Sequence, residues 1–181
     1  MKKLPCIITL LLVFVAFGCK KDKDDEDSNY WTKYEKWRKA NVAFFAEQSD
    51  NPGYNKVYPV WDRTAYILLK YHKRGDESVP SPYLTSTVDV KYEGRLYDGT
   101  VFDSSYGQTT YGDSIFRTRI SAVIEGWQIA LTQMHPGDSC TIIIPSDLAY
   151  GEAIQGDILP YSALTFDLKL VDIKTYERPE P

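Results

Sequence analysis

The sequence predicts an α+β fold: an antiparallel sheet with one helix laid across its dry face, and a further helix ahead of the sheet domain. Three observations predict it. Apolar and polar residues alternate with period two in "STVDVKYEGRL" (86–96) and "SALTFDLKLVDIKTY" (162–176), the pattern of strands wetted on one side. The stretch "SAVIEGWQIALTQMHPGD" (121–138) has helical spacing instead, with Trp127, Ala130, Leu131 and Met134 on one stripe and Pro136-Gly137 to stop it. The order is therefore strands, one helix, strands, without the strand–helix alternation of a parallel sheet.

Taken from the N-terminus, residues 1–18 read as a lipoprotein signal peptide. Lys2 and Lys3 precede an apolar run from Ile7 to Phe17 that is short for a membrane-spanning helix. The run ends in "AFGC", which resembles a bacterial lipobox with Cys19 as the lipidated residue, although Phe17 is an unusual residue within such a box. Residues 19–29, "CKKDKDDEDSN", are too charged to bury apolar surface and read as a flexible acidic tether. Acids so soon after a lipidated cysteine also resemble the signal that sends some Gram-negative lipoproteins to the outer face of the outer membrane. A lipid-anchored, cell-envelope location follows, at the outer membrane and exposed at the surface if that signal operates.

Residues 30–63 read as a helical extension and link. Trp31, Tyr34, Arg38, Val42 and Phe45 recur at spacings of three and four, Thr32 and Glu35 suit a capping box, and "SDNPG" (49–53) ends the helix. Such a stripe either packs on the adjoining domain or docks an envelope protein. "YNKVYPVWDR" (54–63) reads as an irregular or short extended link.

Residues 64–176 form the main domain and 177–181 a tail. "TAYILLKYHKRG" (64–75) is strand-like, and "DESVPSP" (76–82) is a loop. In the next strand Val88, Val90, Tyr92, Gly94 and Leu96 share the dry face, and Asp89, Lys91, Glu93 and Arg95 the wet one. Asp98-Gly99 turns the chain into "TVFDSS". "IFRTRI" (115–120) is a further strand, "SCTIIIPSDLAYG" (139–151) a strand followed by a loop, and 162–176 the last strand, with Leu164, Phe166, Leu168 and Leu170 inward.

Composition narrows the function. A formal charge of −4 leaves no basic face for phosphates, so nucleic acid is not an expected partner. Cys6 falls in the signal and Cys19 would carry lipid, so Cys140 is left without an intrachain disulfide partner. His72 and His135 have no Cys, His or carboxylate at ligand spacing, so neither a metal nor another cofactor is expected. "GEAIQG" (151–156) lacks the Lys-Ser or Lys-Thr of a phosphate-binding loop. What remains is aromatic: Tyr92, Phe102, Trp127, Tyr150 and Phe166 each lie at an end or dry face that meets the helix. Taken alone, such a cluster of rings is more often plain core than the wall of a pocket, and the spacing does not change that.

Four motifs in order, "VKYEGRLYDGTVFDSS", "VIEGW", "IIIPSDLAYG" and "LPYSALTFDLKLVDI", resemble the FKBP-type peptidyl-prolyl isomerases over about residues 64–174. The resemblance implies a highly twisted half-barrel sheet wrapped on one central helix. It implies an apolar cleft lined by Tyr92, Phe102, Asp103, Val123, Ile124, Trp127, Tyr150, Ile158 and Phe166, acting without covalent chemistry on proline-containing polypeptides. A proline ring would sit over Trp127, flanked by Tyr92, Phe102 and Phe166. The Ile124 N–H and the Tyr150 hydroxyl would hold substrate carbonyls, and Asp103 would set the polarity of the rim. Without the resemblance, Asp103 is a surface carboxylate on a hairpin.

Three departures fall at the rim. Ser114 stands where the family often has a second phenylalanine, with Phe116 two residues on. The loop near Gln155 lacks the usual histidine and is shorter, and "LPYSA" has leucine where proline is common. They leave open a catalytically weak binding or chaperone module on the same fold. A β-rich carrier of a hydrophobic ligand is the third reading.

Overall fold

The computed structural model describes residues 23–177, with side chains from residue 32 onward. Residues 1–22, with the predicted signal peptide and Cys19, lie outside the described residues. Helix α1 spans Lys23–Ser49, and strands β1 (Asn55–Val57), β2 (Ile67–Lys73), β3 (Thr87–Arg95), β4 (Val101–Ser104) and β5 (Phe116–Arg119) follow. Then come helix α2 (Glu125–Leu131), strand β6 (Ser139–Ile144) and strand β7 (Leu164–Thr175). All strand pairings are antiparallel in one seven-stranded sheet of order β1-β2-β6-β7-β3-β4. The far edge of β3 is shared: β5 pairs with residues 87–90 and β4 with residues 93–95.

The alternation in β3 and β7 does what the sequence leads one to expect. Val88, Val90, Tyr92, Leu164, Phe166, Leu168 and Leu170 are buried in one core with Trp127, Ile129, Ala130 and Leu131 of α2. Burying an aliphatic or aromatic side chain of this size contributes about 1.5–3 kcal/mol, so this one-helix seam is a large share of what holds the domain together. Asp89 departs from its predicted wet face: it is buried because Arg117, its register partner on β5, closes over it with Nε–H and Nη2–H donated to the two carboxylate oxygens at 2.7 and 2.9 Å.

Helix α2 lies close to the sheet because Gly126 has no side chain. A Cβ there would meet Ile144 Cγ2 at 2.4 Å. Gly126→Ala must push α2 off β6, and overpacking of this kind costs about 1–3 kcal/mol. Urea unfolding is expected to show that loss; a midpoint equal to wild type would mean that the helix has slack the packing does not suggest.

Two features of α1 correct the sequence reading. The described part of the helix runs from Lys23, so residues 23–29 of the stretch read as a flexible tether are helical. The face turned to the domain keeps Tyr34 and Phe45 of the predicted stripe but has Asn41 in place of Val42 and adds Trp37 and Phe44. Val42 is 58 % exposed, whereas Tyr34 and Asn41 are buried and Trp37, Phe44 and Phe45 are partly so. Asn41 is the reason. Its amide donates to the Trp37 carbonyl and its Oδ1 accepts the Ala163 N–H, both at 2.9 Å, while Trp37 Nε1–H reaches Ser162 Oγ at 3.0 Å. A polar residue holds the centre of this contact, so a count of apolar positions misses it.

The helix also changes the sheet. By register, Arg95, Thr165, Ile143 and Leu68 form one row on the outer face. Leu68 and Ile143 are nonetheless fully buried. Trp37 and Phe44 meet Tyr97 at ring distances of 5.0 and 6.4 Å, and Phe45 meets Tyr66 at 5.6 Å. The sheet is covered on one side by α2 and, at this corner, on the other by α1.

Candidate active site

The site starts with a glycine. Gly94 sits on the dry face of β3, and a Cβ there would stand 2.7 Å from both the Phe102 and the Phe166 rings. Its absence lets those rings close to 5.6 Å, edge to face at 88°. Trp127 from α2 stands against Phe166 at 5.2 Å and against Tyr92 at 5.0 Å, again near perpendicular. Phe116 of β5 completes the wall, 5.6 Å from Tyr92 and 6.4 Å from Trp127. Edge-to-face contacts add about 0.5–1.5 kcal/mol each beyond burial, so these rings brace one another. They line a cleft of about 280 Å³ together with Asp103, Ala122, Val123, Ile124 and Tyr150.

Polar groups are few and placed at the edge. The Tyr92 hydroxyl donates to Asp103 Oδ2 at 2.6 Å, and Asp103 Oδ1 accepts the Ser104 N–H at 2.8 Å. Asp103 itself is exposed. Burial, then the hydrogen bond to Asp103, push the Tyr92 hydroxyl well above the usual tyrosine range; burial and the Asp103 charge push Tyr150 up as well. Ile124 caps α2: its carbonyl accepts the Trp127 and Gln128 N–H groups at 2.9 and 3.2 Å. The Ile124 N–H and the Tyr150 hydroxyl make no hydrogen bond to another described residue, and the buried Trp127 Nε1–H has no acceptor there either.

Of the nine residues the sequence proposed for the cleft, eight line it. Ile158 is the exception. It is buried in the wall of an adjoining hollow of about 240 Å³, which shares Phe102, Asp103 and Tyr150 with the cleft. Its loop folds back on itself through mutual backbone bonds between Gln155 and Ile158 at 2.9 and 3.0 Å, which holds Ile158 behind the rim. Sequence reasoning missed Phe116 and Ala122. The departure at Ser114 was the available signal for Phe116. Ser114 has φ = 61°, a left-handed conformation that a bulky ring disfavours, so the ring comes from the strand two residues later.

Among the described residues, no group of three or more His, Cys, Asp or Glu could hold a metal ion, and no helix is long and apolar enough to cross a membrane.

Comparison with known proteins places this geometry. Residues 79–171 match the family described as FKBP-type peptidyl-prolyl cis-trans isomerase. The chain is 47% identical over 101 residues to the peptidyl-prolyl cis-trans isomerase Mip of Coxiella burnetii, a match covering 52% of this chain and 40% of that protein. The crystal structure of a peptidyl-prolyl cis-trans isomerase from Pseudomonas syringae superposes with a TM-score of 0.65 at 33% identity, over 78% of this chain and 96% of that one. FkpA from Escherichia coli superposes with a TM-score of 0.60 at 28% identity, over 85% and 63% of the two chains. The chain thus spans well under two thirds of the Coxiella relative.

Proposed function

Because the chain belongs to the FKBP-type peptidyl-prolyl cis-trans isomerases, we propose that it catalyses cis–trans isomerisation of X-Pro bonds in polypeptides folding in the cell envelope. The observation that carries this reading is the ring-walled cleft with two uncommitted hydrogen-bond donors at its edge.

The chemistry follows from the amide. Twisting breaks C–N resonance against a barrier of about 18–20 kcal/mol, so an unassisted X-Pro bond turns over in tens to hundreds of seconds. A planar amide is strongly dipolar and well solvated, and the twisted one less so. Moving it from water into the space between Tyr92, Phe102, Phe116, Trp127 and Phe166 favours the twisted form relative to the planar one. A million-fold acceleration requires about 8 kcal/mol of that preference. The proline ring packs on Trp127, the Ile124 N–H and Tyr150 O–H hold flanking carbonyls, and Asp103 keeps Tyr92 oriented while biasing the field at the turning carbonyl. No nucleophile and no proton transfer enter the scheme.

Cis–trans exchange in a short X-Pro peptide, read by NMR line shape, tests the proposal directly. Exchange accelerated in proportion to enzyme is the expected result. Uncatalysed exchange with clear peptide binding would instead favour the binding-module reading. The pH profile offers a second check. Both tyrosine hydroxyls are held protonated above their ordinary value of about 10, so turnover stays level up to that pH. An alkaline fall beginning near pH 8 would implicate another group.

The envelope location rests on the N-terminal residues, with Cys19 as the lipid attachment point and the outer membrane as the destination. Cys19→Ala is expected to move the protein from the membrane fraction to the soluble one.

A further inference from the structure

Beyond the Ile124 and Tyr150 side of the cleft lies a second groove of about 480 Å³, between α1 and the sheet domain. The chain passes from the wall of one to the wall of the other at Ile124–Glu125, and again between Leu148 and Tyr150. Phe45, Tyr66 and Leu148 give the groove its apolar surface, and Asp62, Glu125 and Asp147 give it three carboxylates. No Lys, Arg or His lines it, and none of the three acids is in an ion pair with a described residue. The loop bearing Asp62 is fastened beside the cleft by Trp61, whose Nε1–H donates to Glu125 Oε1 at 2.8 Å while half of the residue stays exposed. Phe45, Trp61, Asp62 and Tyr66 all precede residue 79, where the family match begins.

We infer that this groove is an extension of the substrate site, which takes the residues flanking the X-Pro bond and selects segments that carry Lys or Arg beside an aromatic or aliphatic side chain. The inference rests on the isomerase reading for what occupies the cleft. A polypeptide held at the Ile124 N–H that continues toward Glu125 meets apolar contact and three carboxylates with no ion-pair partner among the described residues; Lys56 Nζ, 5.0 Å over the Tyr66 ring, is the cation beside them. Carboxylates so placed attract a cationic segment and repel an anionic one, and the effect weakens as salt rises.

The test compares peptides on the purified full-length protein. One is a tetrapeptide containing a single X-Pro bond; the others add Lys-Phe-Lys or Glu-Phe-Glu before or after it. The Lys-Phe-Lys extension on one side is expected to raise kcat/KM about fivefold, mainly through KM, with Glu-Phe-Glu giving no gain. Half-molar salt should erase most of the difference. The double variant Asp62→Asn with Asp147→Asn should bring the ratio of extended to short peptide close to one. Equal turnover of the Lys and Glu peptides, or a double variant that leaves the ratio unchanged, would overturn the inference. A protein that turns over no peptide would refute the isomerase reading instead. The groove is then judged by amide NMR shifts: movement of Ala65 and Leu148 signals with the Lys peptide supports it, and silence there rejects it.

Discussion

Trp127→Ala is expected to abolish detectable isomerase turnover and to lower stability by about 3–5 kcal/mol, the cost of truncating a buried tryptophan. The residue is 4 % exposed and stands edge to face with Tyr92, Phe116 and Phe166, so it is core and cleft floor at once. A change of activity with an intact fold is therefore not available from this truncation. Trp127→Phe separates the two roles. It keeps a ring in the box, and the indole N–H it deletes has no acceptor among the described residues, so no protein hydrogen bond is lost. Most of the stability should return in chemical denaturation, with turnover only partly restored. Wild-type kcat/KM in Trp127→Ala, assayed below its unfolding midpoint, would remove this cleft as the site.

Asp103→Leu should do the opposite: a fall of about tenfold to a hundredfold in kcat/KM, some 1.4–2.7 kcal/mol of transition-state stabilisation, with thermal stability nearly unchanged. The side chain is exposed at the rim and its main bond within the site is the one accepted from Tyr92. Asp103→Asn is the informative companion, since it retains an oxygen for the Tyr92 hydroxyl and deletes the charge. Activity near wild type in Asn but not in Leu would assign the effect to the positioning of Tyr92; equal loss in both would assign it to the field. Full activity in both would leave Asp103 as the surface carboxylate that the hairpin alone suggests.

Much of the site was legible because family motifs and strand periodicity agreed. Tyr92 and Phe166 lie on inward positions of strands that pair directly, with Phe166 in register opposite Gly94. Phe116 was less legible, since it stands two residues from the familiar position and a positive φ at Ser114 decides where the ring comes from. Ile158 lies in the adjoining hollow, beside Phe102, Asp103 and Tyr150, because its loop closes at Gln155 through backbone bonds that carry no side-chain signature. The docking face of α1 was shifted because Asn41, a residue that hydrophobic spacing ignores, is what fastens the helix to Ala163.

The rings of the cleft were read from the family motifs; by itself the sequence determined the class of fold, the strand faces and the turn at Asp98-Gly99. Those depend on interactions local in sequence: period-two burial, helical spacing, and the freedom of a glycine at φ = 87°. Only the tertiary structure decided which rings touch, that Gly94 and Gly126 are gaps required by neighbours distant along the chain, that Asp89 is buried under Arg117, and that α1 closes a second groove beside the cleft. Those depend on distances between segments far apart in the chain, and no spacing rule within a segment encodes them.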